Sequence, residues 1–69
     1  MSDTKTIRAA ELNPQDVIRI TVMGGTEDVT IRQKWYNTAG RIMLFGGSSI
    51  MEFSDCVDPD QPVRLVVNV

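Results

Sequence analysis

The chain has no histidine and a single cysteine, Cys56. Histidine is the side chain whose ordinary pKa lies nearest neutrality, so the commonest general base is missing. One cysteine cannot form a disulfide within the chain. Without histidine it also leaves too few of the usual ligands for a zinc site. Cys56 is flanked by Asp55 and Asp58, not by the cations that activate catalytic thiols, so a structural cysteine is expected. Long hydrophobic runs are missing too: none approaches the ~20 residues that span a bilayer. The opening six residues are polar, so neither a signal peptide nor a membrane segment is expected, and a cytoplasmic location follows as the default. Nor is there an excess of one charge. Seven Lys and Arg face nine Asp and Glu, which argues against strong nonspecific binding of nucleic acid by the chain as a whole.

What remains is a β pattern. Sixty-nine residues make one domain, 1–69, with residues 1–4 expected to be frayed. From Val17 to Met23 the residues alternate, with Ile18, Ile20 and Val22 on one side and Arg19 and Thr21 on the other. A glycine-led loop over 24–28 leads into the central feature, a β-hairpin over 28–45 that holds the only Trp and the only Tyr. Strict alternation there puts Val29, Ile31, Gln33 and Trp35 on one face, opposite Thr30, Arg32, Lys34 and Tyr36. Gln33 interrupts the apolar row, which marks either the rim of the sheet or a bulge that shifts the register. Gly40 closes the hairpin turn, with positive φ expected. Two further strands are expected, at 50–53 and 63–69.

The segment 54–62 carries two prolines. It is predicted to be irregular, with a single 3₁₀ turn. Asn13, Pro14, Gln15 and Asp16 form a turn signature, and the lack of glycine at position 15 predicts type I. No two-turn helix is expected. Short strands divided by turn signals give an all-β fold, a small SH3-like barrel of about five antiparallel strands. Its predicted core is Leu12, Ile18, Ile20, Val22, Val29, Ile31, Trp35, Ile42, Leu44, Phe53, Leu65 and Val67.

The segment from Ile7 to Ile18 is similar to a lead-in motif, Leu-x-Pro-Gly-Asp-x-Ile, of small β proteins. It resembles that of Hint-type domains and of orphan barrel proteins of actinobacterial phages. The matching residues are Leu12, Pro14, Asp16 and Ile18, with Gln15 where the motif has glycine. No Hint nucleophile stands at the chain start, so splicing chemistry is not implied. The resemblance implies a small accessory protein that binds a host or phage component.

Catalysis has little support, since no nucleophile–base spacing is present, and a catalytic barrel would need a cofactor that the sequence does not announce; neither cofactor nor metal is expected. Asp55, Asp58 and Asp60 read as turn caps rather than a calcium loop, lacking the glycine and terminal Glu of an EF-hand. Gly46-Gly47 and Gly24-Gly25 read as plain turns, because no helix N-terminus follows them to hold a phosphate. The candidate binding surface is the outer face of the central hairpin: Arg32, Lys34 and Tyr36, with Arg19 and Arg41 on neighbouring strands and Phe45 near the end. An ordinary solvated sheet face explains the same pattern.

Two functional readings stay open. One is a non-enzymatic protein-binding module. Apolar Met43, Phe45, Ile50 and Val66 on outer positions point to a homo-oligomer as one partner. The alternative is nucleic-acid binding through Arg32, Lys34, Tyr36 and Arg41. A half-exposed Trp35 in place of a buried one would favour a peptide groove.

Overall fold

The computed structural model describes residues 3–67. Six strands form one open antiparallel sheet: β1 (Asp3–Arg8), β2 (Val17–Val22), β3 (Gly25–Tyr36), β4 (Ile42–Gly47), β5 (Glu52–Val57) and β6 (Pro62–Val67). Their spatial order is β1-β6-β2-β3-β4-β5, and every neighbouring pair is antiparallel. One 3₁₀ turn, Ala9–Glu11, joins β1 to β2. The all-β expectation holds, but there are six strands, not five. Among the described residues β1 and β5 end the sheet, each with one neighbour, so the closed wall expected of a barrel is absent. No helix of the described residues is long and apolar enough to cross a membrane.

Several boundaries move. Asp3 and Thr4 belong to β1, while Met1 and Ser2, also expected to fray, lie outside the described residues. The 24–28 loop shrinks to a two-residue turn at Met23 and Gly24, because Val22 already pairs with Gly25. The 3₁₀ turn sits at 9–11 and not within 54–62. Positions 54–57 are regular strand, since both prolines fall after Val57 and cost β5 no donor. Gln15 adopts φ +81 and Asp16 N–H donates to the Asn13 carbonyl at 3.0 Å. That is the glycine-favouring geometry of a type II turn, not type I. Gly40, at φ +79, takes the expected left-handed conformation.

The core is small. Ala9, Leu12, Ile18, Val29, Ile31, Ile42, Leu44 and Val57 are buried, drawn from four strands and from the 9–12 segment that plugs one end. Ile20, Phe53 and Leu65 pack against it half-buried, and Val22 and Val67 are also only half-buried. Each fully buried large apolar side chain contributes roughly 1.5–3 kcal/mol. The lead-in segment is bound to both sides of the fold. Ala9 and Ala10 N–H donate to the carbonyls of Gln61 and Pro59 at 2.9 and 3.0 Å, and Gln15 N–H donates to Ile31 at 2.7 Å.

One irregularity decides which side chains face out. In β3, Ile31 pairs with Gly46 but Gln33 pairs with Phe45, so Arg32 is an extra residue with no partner in β4. Such a bulge shifts the alternation by one, and every later side chain changes face. The bulge also brings the Thr30 carbonyl close against Gly46, where an added Cβ would overlap it. Only glycine permits that approach.

Candidate functional site

Directly opposed residues of antiparallel strands project to the same side of the sheet. Beyond the bulge, Lys34 lies opposite buried Leu44 and Tyr36 opposite buried Ile42, so both belong to the core side. Gln33 and Trp35 lie opposite Phe45 and Met43 on the outer side. The predicted core position of Trp35 is therefore corrected: the residue is 46% exposed. The predicted grouping of Arg32, Lys34, Tyr36 and Phe45 on one face is corrected by the same one-residue shift.

Lys34 is occupied. Its ammonium donates to the carbonyl oxygens of Ala10 at 2.7 Å and Leu12 at 2.8 Å, the free acceptors at the end of the 3₁₀ turn. It also lies 6.0 Å from the centre of the Tyr36 ring, at the limit of a cation–π contact. Arg19 makes a two-pronged bond to Asp28, its cross-strand neighbour, at 2.8 and 3.1 Å. The hydrogen bond to Arg19 is the main cause that holds the Asp28 carboxyl below its usual range, and the same bond raises Arg19. Arg41 bonds Asp58 at 3.1 Å and the Cys56 carbonyl at 3.3 Å. Arg32 alone of the predicted cations makes no hydrogen bond or ion pair with the described residues. It borders a shallow depression of about 250 Å³ with Glu52, Phe45 and Phe53.

The residues that do come together are different ones. Trp35 and Phe45 stack, with ring centroids 4.6 Å apart and planes 11° from parallel. They lie diagonally across β3 and β4, and Met43, opposite Trp35, continues the apolar surface. Asn37 closes its far end: its amide reaches the sulfurs of Met43 and Cys56 at 3.8 Å, while its carbonyl oxygen accepts from Ala39 and Arg41 N–H at 2.9 and 3.0 Å. Of the six predicted site residues, Phe45 belongs to this surface and Arg32 borders it, while Arg19 and Arg41 are in ion pairs, Lys34 is on backbone carbonyls and Tyr36 lies on the other side of the sheet. Trp35 and Met43 stand outside the predicted site set, Trp35 being placed in the core with exposure as the alternative and Met43 as an outer apolar position; the polar Gln33 within the apolar row was the available signal of the shift.

Among the described residues no group of three His, Cys, Asp or Glu is placed to hold a metal ion. Compared with known proteins, the chain matches no family model, no curated protein and no solved structure.

Proposed function

We propose that this chain is a non-enzymatic protein-binding module, an open SH3-like barrel whose docking surface is the outer face of β3 and β4. The stacked, half-exposed Trp35–Phe45 pair carries this reading. A large aromatic held rigid by a second ring loses little entropy on binding and offers substantial apolar area, and Trp is among the residues that dominate interface energetics. Met43 adds an adaptable apolar neighbour and Arg32 an unengaged cation at the rim. The partner that suits such a face is a protein or extended peptide with an exposed apolar side chain beside a carboxylate. Within the phage reading of the lead-in motif, that partner is a host or phage component.

Nucleic acid is the second reading, because an exposed indole can stack on a base. It has less support, since Lys34, Arg41 and Arg19 are engaged within the fold and, of the four cations predicted for that face, only Arg32 is left to meet phosphates. The test is affinity capture from the native host with wild type and a Trp35→Ser/Phe45→Ser double variant, with folding of both checked by far-UV circular dichroism. A protein retained by wild type and lost by the variant is expected. Recovery of the same proteins by both would overturn the reading. Nucleic acid released steeply by salt would favour the alternative.

A further inference from the structure

The two ends of the sheet fit each other. All neighbouring strands alternate in direction along the order β1-β6-β2-β3-β4-β5, so β1 and β5 run oppositely. A second copy placed beside the first, its β1 against this β5, would continue the sheet antiparallel. Three observations bear on the register: hydrogen-bond phase and face together limit which residues can pair, and side-chain chemistry selects the register among those that remain.

The first is hydrogen-bond phase. Ala9 N–H donates toward the β6 side, to Gln61, and Pro62, which has no N–H, stands opposite Arg8. Backbone N–H groups alternate sides along a strand, so those of Thr4, Thr6 and Arg8 point to the free edge. Arg8 N–H does so visibly, donating to Glu11 at 3.2 Å. On β5, the Ser48 N–H to Met51 carbonyl bond at 2.8 Å makes 47 and 52 a non-bonded pair, so by alternation Phe53, Asp55 and Val57 bond to β4 while Glu52, Ser54 and Cys56 face the edge; Cys56 N–H is met there by the Asp55 carboxylate at 2.8 Å. Even-numbered residues must therefore pair with even-numbered ones.

The second is face. Ile7 and Lys5 lie opposite Val63 and Leu65 on the core side of β6, and Phe53 and Asp55 lie opposite Gly46 and Leu44 on the core side of β4. A continuous sheet matches these two sets.

The third is chemistry. The register that sets Thr6 against Ser54 uses all six residues of both strands. It also sets Lys5 against Asp55 and Ile7 against Phe53. Arg8, held in the single chain by Glu11 and Asp60, falls opposite Glu52. Thr4 falls opposite Cys56 and Asp3 opposite Val57, the two pairs with no marked complementarity. Moving two residues either way puts Lys5 against Val57, or Asp3 against Asp55. Opposite charges and apolar pairs directly across strands are favourable, and like charges there are not.

We propose that copies of this chain assemble head to tail by adding the β1 edge of one to the β5 edge of the next, with Lys5–Asp55 and Ile7–Phe53 as the cross-strand pairs. The interface is heterologous, so it builds a ring or a filament and not a two-fold dimer. It uses the sheet edges and not the Trp35–Phe45 face, and stands separately from the reading above. Charged side chains on an edge ordinarily discourage such pairing. Here the charges of the two edges are opposite at one of the registers that phase and face allow, and that register is the one proposed.

The experiment is sedimentation velocity over a concentration series on wild type, Lys5→Asp, Asp55→Lys and the double exchange, with circular dichroism as the folding check. Wild type is expected to assemble, each single variant to stay monomeric, and the double exchange to assemble again. Hydrogen exchange at the Thr6 and Ser54 amides is expected to slow as wild-type concentration rises, a readout that needs no variant. A wild type that stays monomeric throughout, with those amides unchanged, would overturn the proposal. So would single variants that assemble as wild type does, or a folded double exchange that stays monomeric. Loss of assembly in Trp35→Ser with none in Lys5→Asp would move the contact to the aromatic face and refute it.

Discussion

The Lys34 ammonium donates to the Leu12 carbonyl across 22 residues of sequence, and Ala10 shares the same donor. The lead-in segment is thereby fastened over the end of the core that Leu12 fills. Hydrogen bonds to a charged group contribute about 1.5–3 kcal/mol, and removing the donor leaves two carbonyl oxygens at a partly buried site without it. Lys34→Met keeps most of the stem and deletes the donor. A loss of about 1–3 kcal/mol is expected from urea unfolding, read as a lower midpoint at unchanged slope. A variant as stable as wild type would show that water replaces the ammonium at no cost, and that Lys34 is an ordinary surface residue.

The alternation of β2, the turn at Gly40 and the all-β class are legible in the sequence because each is a local consequence of residue type. The face of Trp35 is not. Its side depends on one unpaired residue, Arg32, and a bulge in β3 is a property of how β4 sits beside it. Gln33 gave a local trace of it, since a polar residue in an inward row signals either a rim or a shift. Lys34 was equally hidden: nothing near it in sequence shows that its partners are two carbonyls of the 9–12 segment. The strand at 54–57 was obscured by Pro59 and Pro62, which stand just outside it. Cys56 and Val57 pair normally with Met43 and Ile42.

The bulge makes two opposite predictions on neighbouring strands. Deleting Arg32 removes only the extra residue, so Ile31 still faces in, Gln33 faces out and the Trp35–Phe45 stack survives. The expected cost is the ~0.5–3 kcal/mol of an ordinary single change, with Trp35 emission unaltered. An uninterrupted strand would instead carry Trp35 to the opposite face on deletion, with a large change in emission. Gly46→Ala, by contrast, drives a methyl into the Thr30 carbonyl, a backbone atom that cannot rotate away. Its loss should reach or exceed the ~1–3 kcal/mol typical of overpacking. A Gly46→Ala variant of wild-type stability would mean that the bulge can relax.

Gln15 offers a stabilising change. A non-glycine residue in the left-handed region costs roughly 1–2 kcal/mol, whereas glycine there gives back part of that gain through the greater freedom of its unfolded chain. Gln15→Gly is expected to raise stability by about 0.5–1 kcal/mol, the difference of these two effects. The Gln15 N–H to Ile31 bond is backbone and is retained. A rise in thermal midpoint checks it, and Gln15→Ala, which keeps the strain, should show no rise. Equal stability of the glycine and alanine variants would indicate that the turn is not held in this conformation in solution.

The Arg19–Asp28 pair gives the acid side of the stability profile a defined sign. Hydrogen bonding to Arg19 depresses the folded-state Asp28 pKa below its unfolded value of about 3.9. Between those two values the unfolded chain binds more protons than the folded one, so stability falls with falling pH. The contribution is fully present above the unfolded pKa and is lost as the pH drops through the folded one. Glu11, held low chiefly by the Arg8 N–H, adds a second contribution of the same sign. Asp28→Asn should therefore be less stable than wild type at neutral pH and should lose less on acidification. The two curves should approach each other below about pH 4. Both members of the pair are partly open to solvent, with side-chain exposures of 22% and 38%, so added salt should narrow the gap at neutral pH. Urea midpoints measured from neutral to acid pH at low and high salt provide the check. Curves that run parallel throughout would show that the carboxylate titrates alike in the folded and unfolded chain.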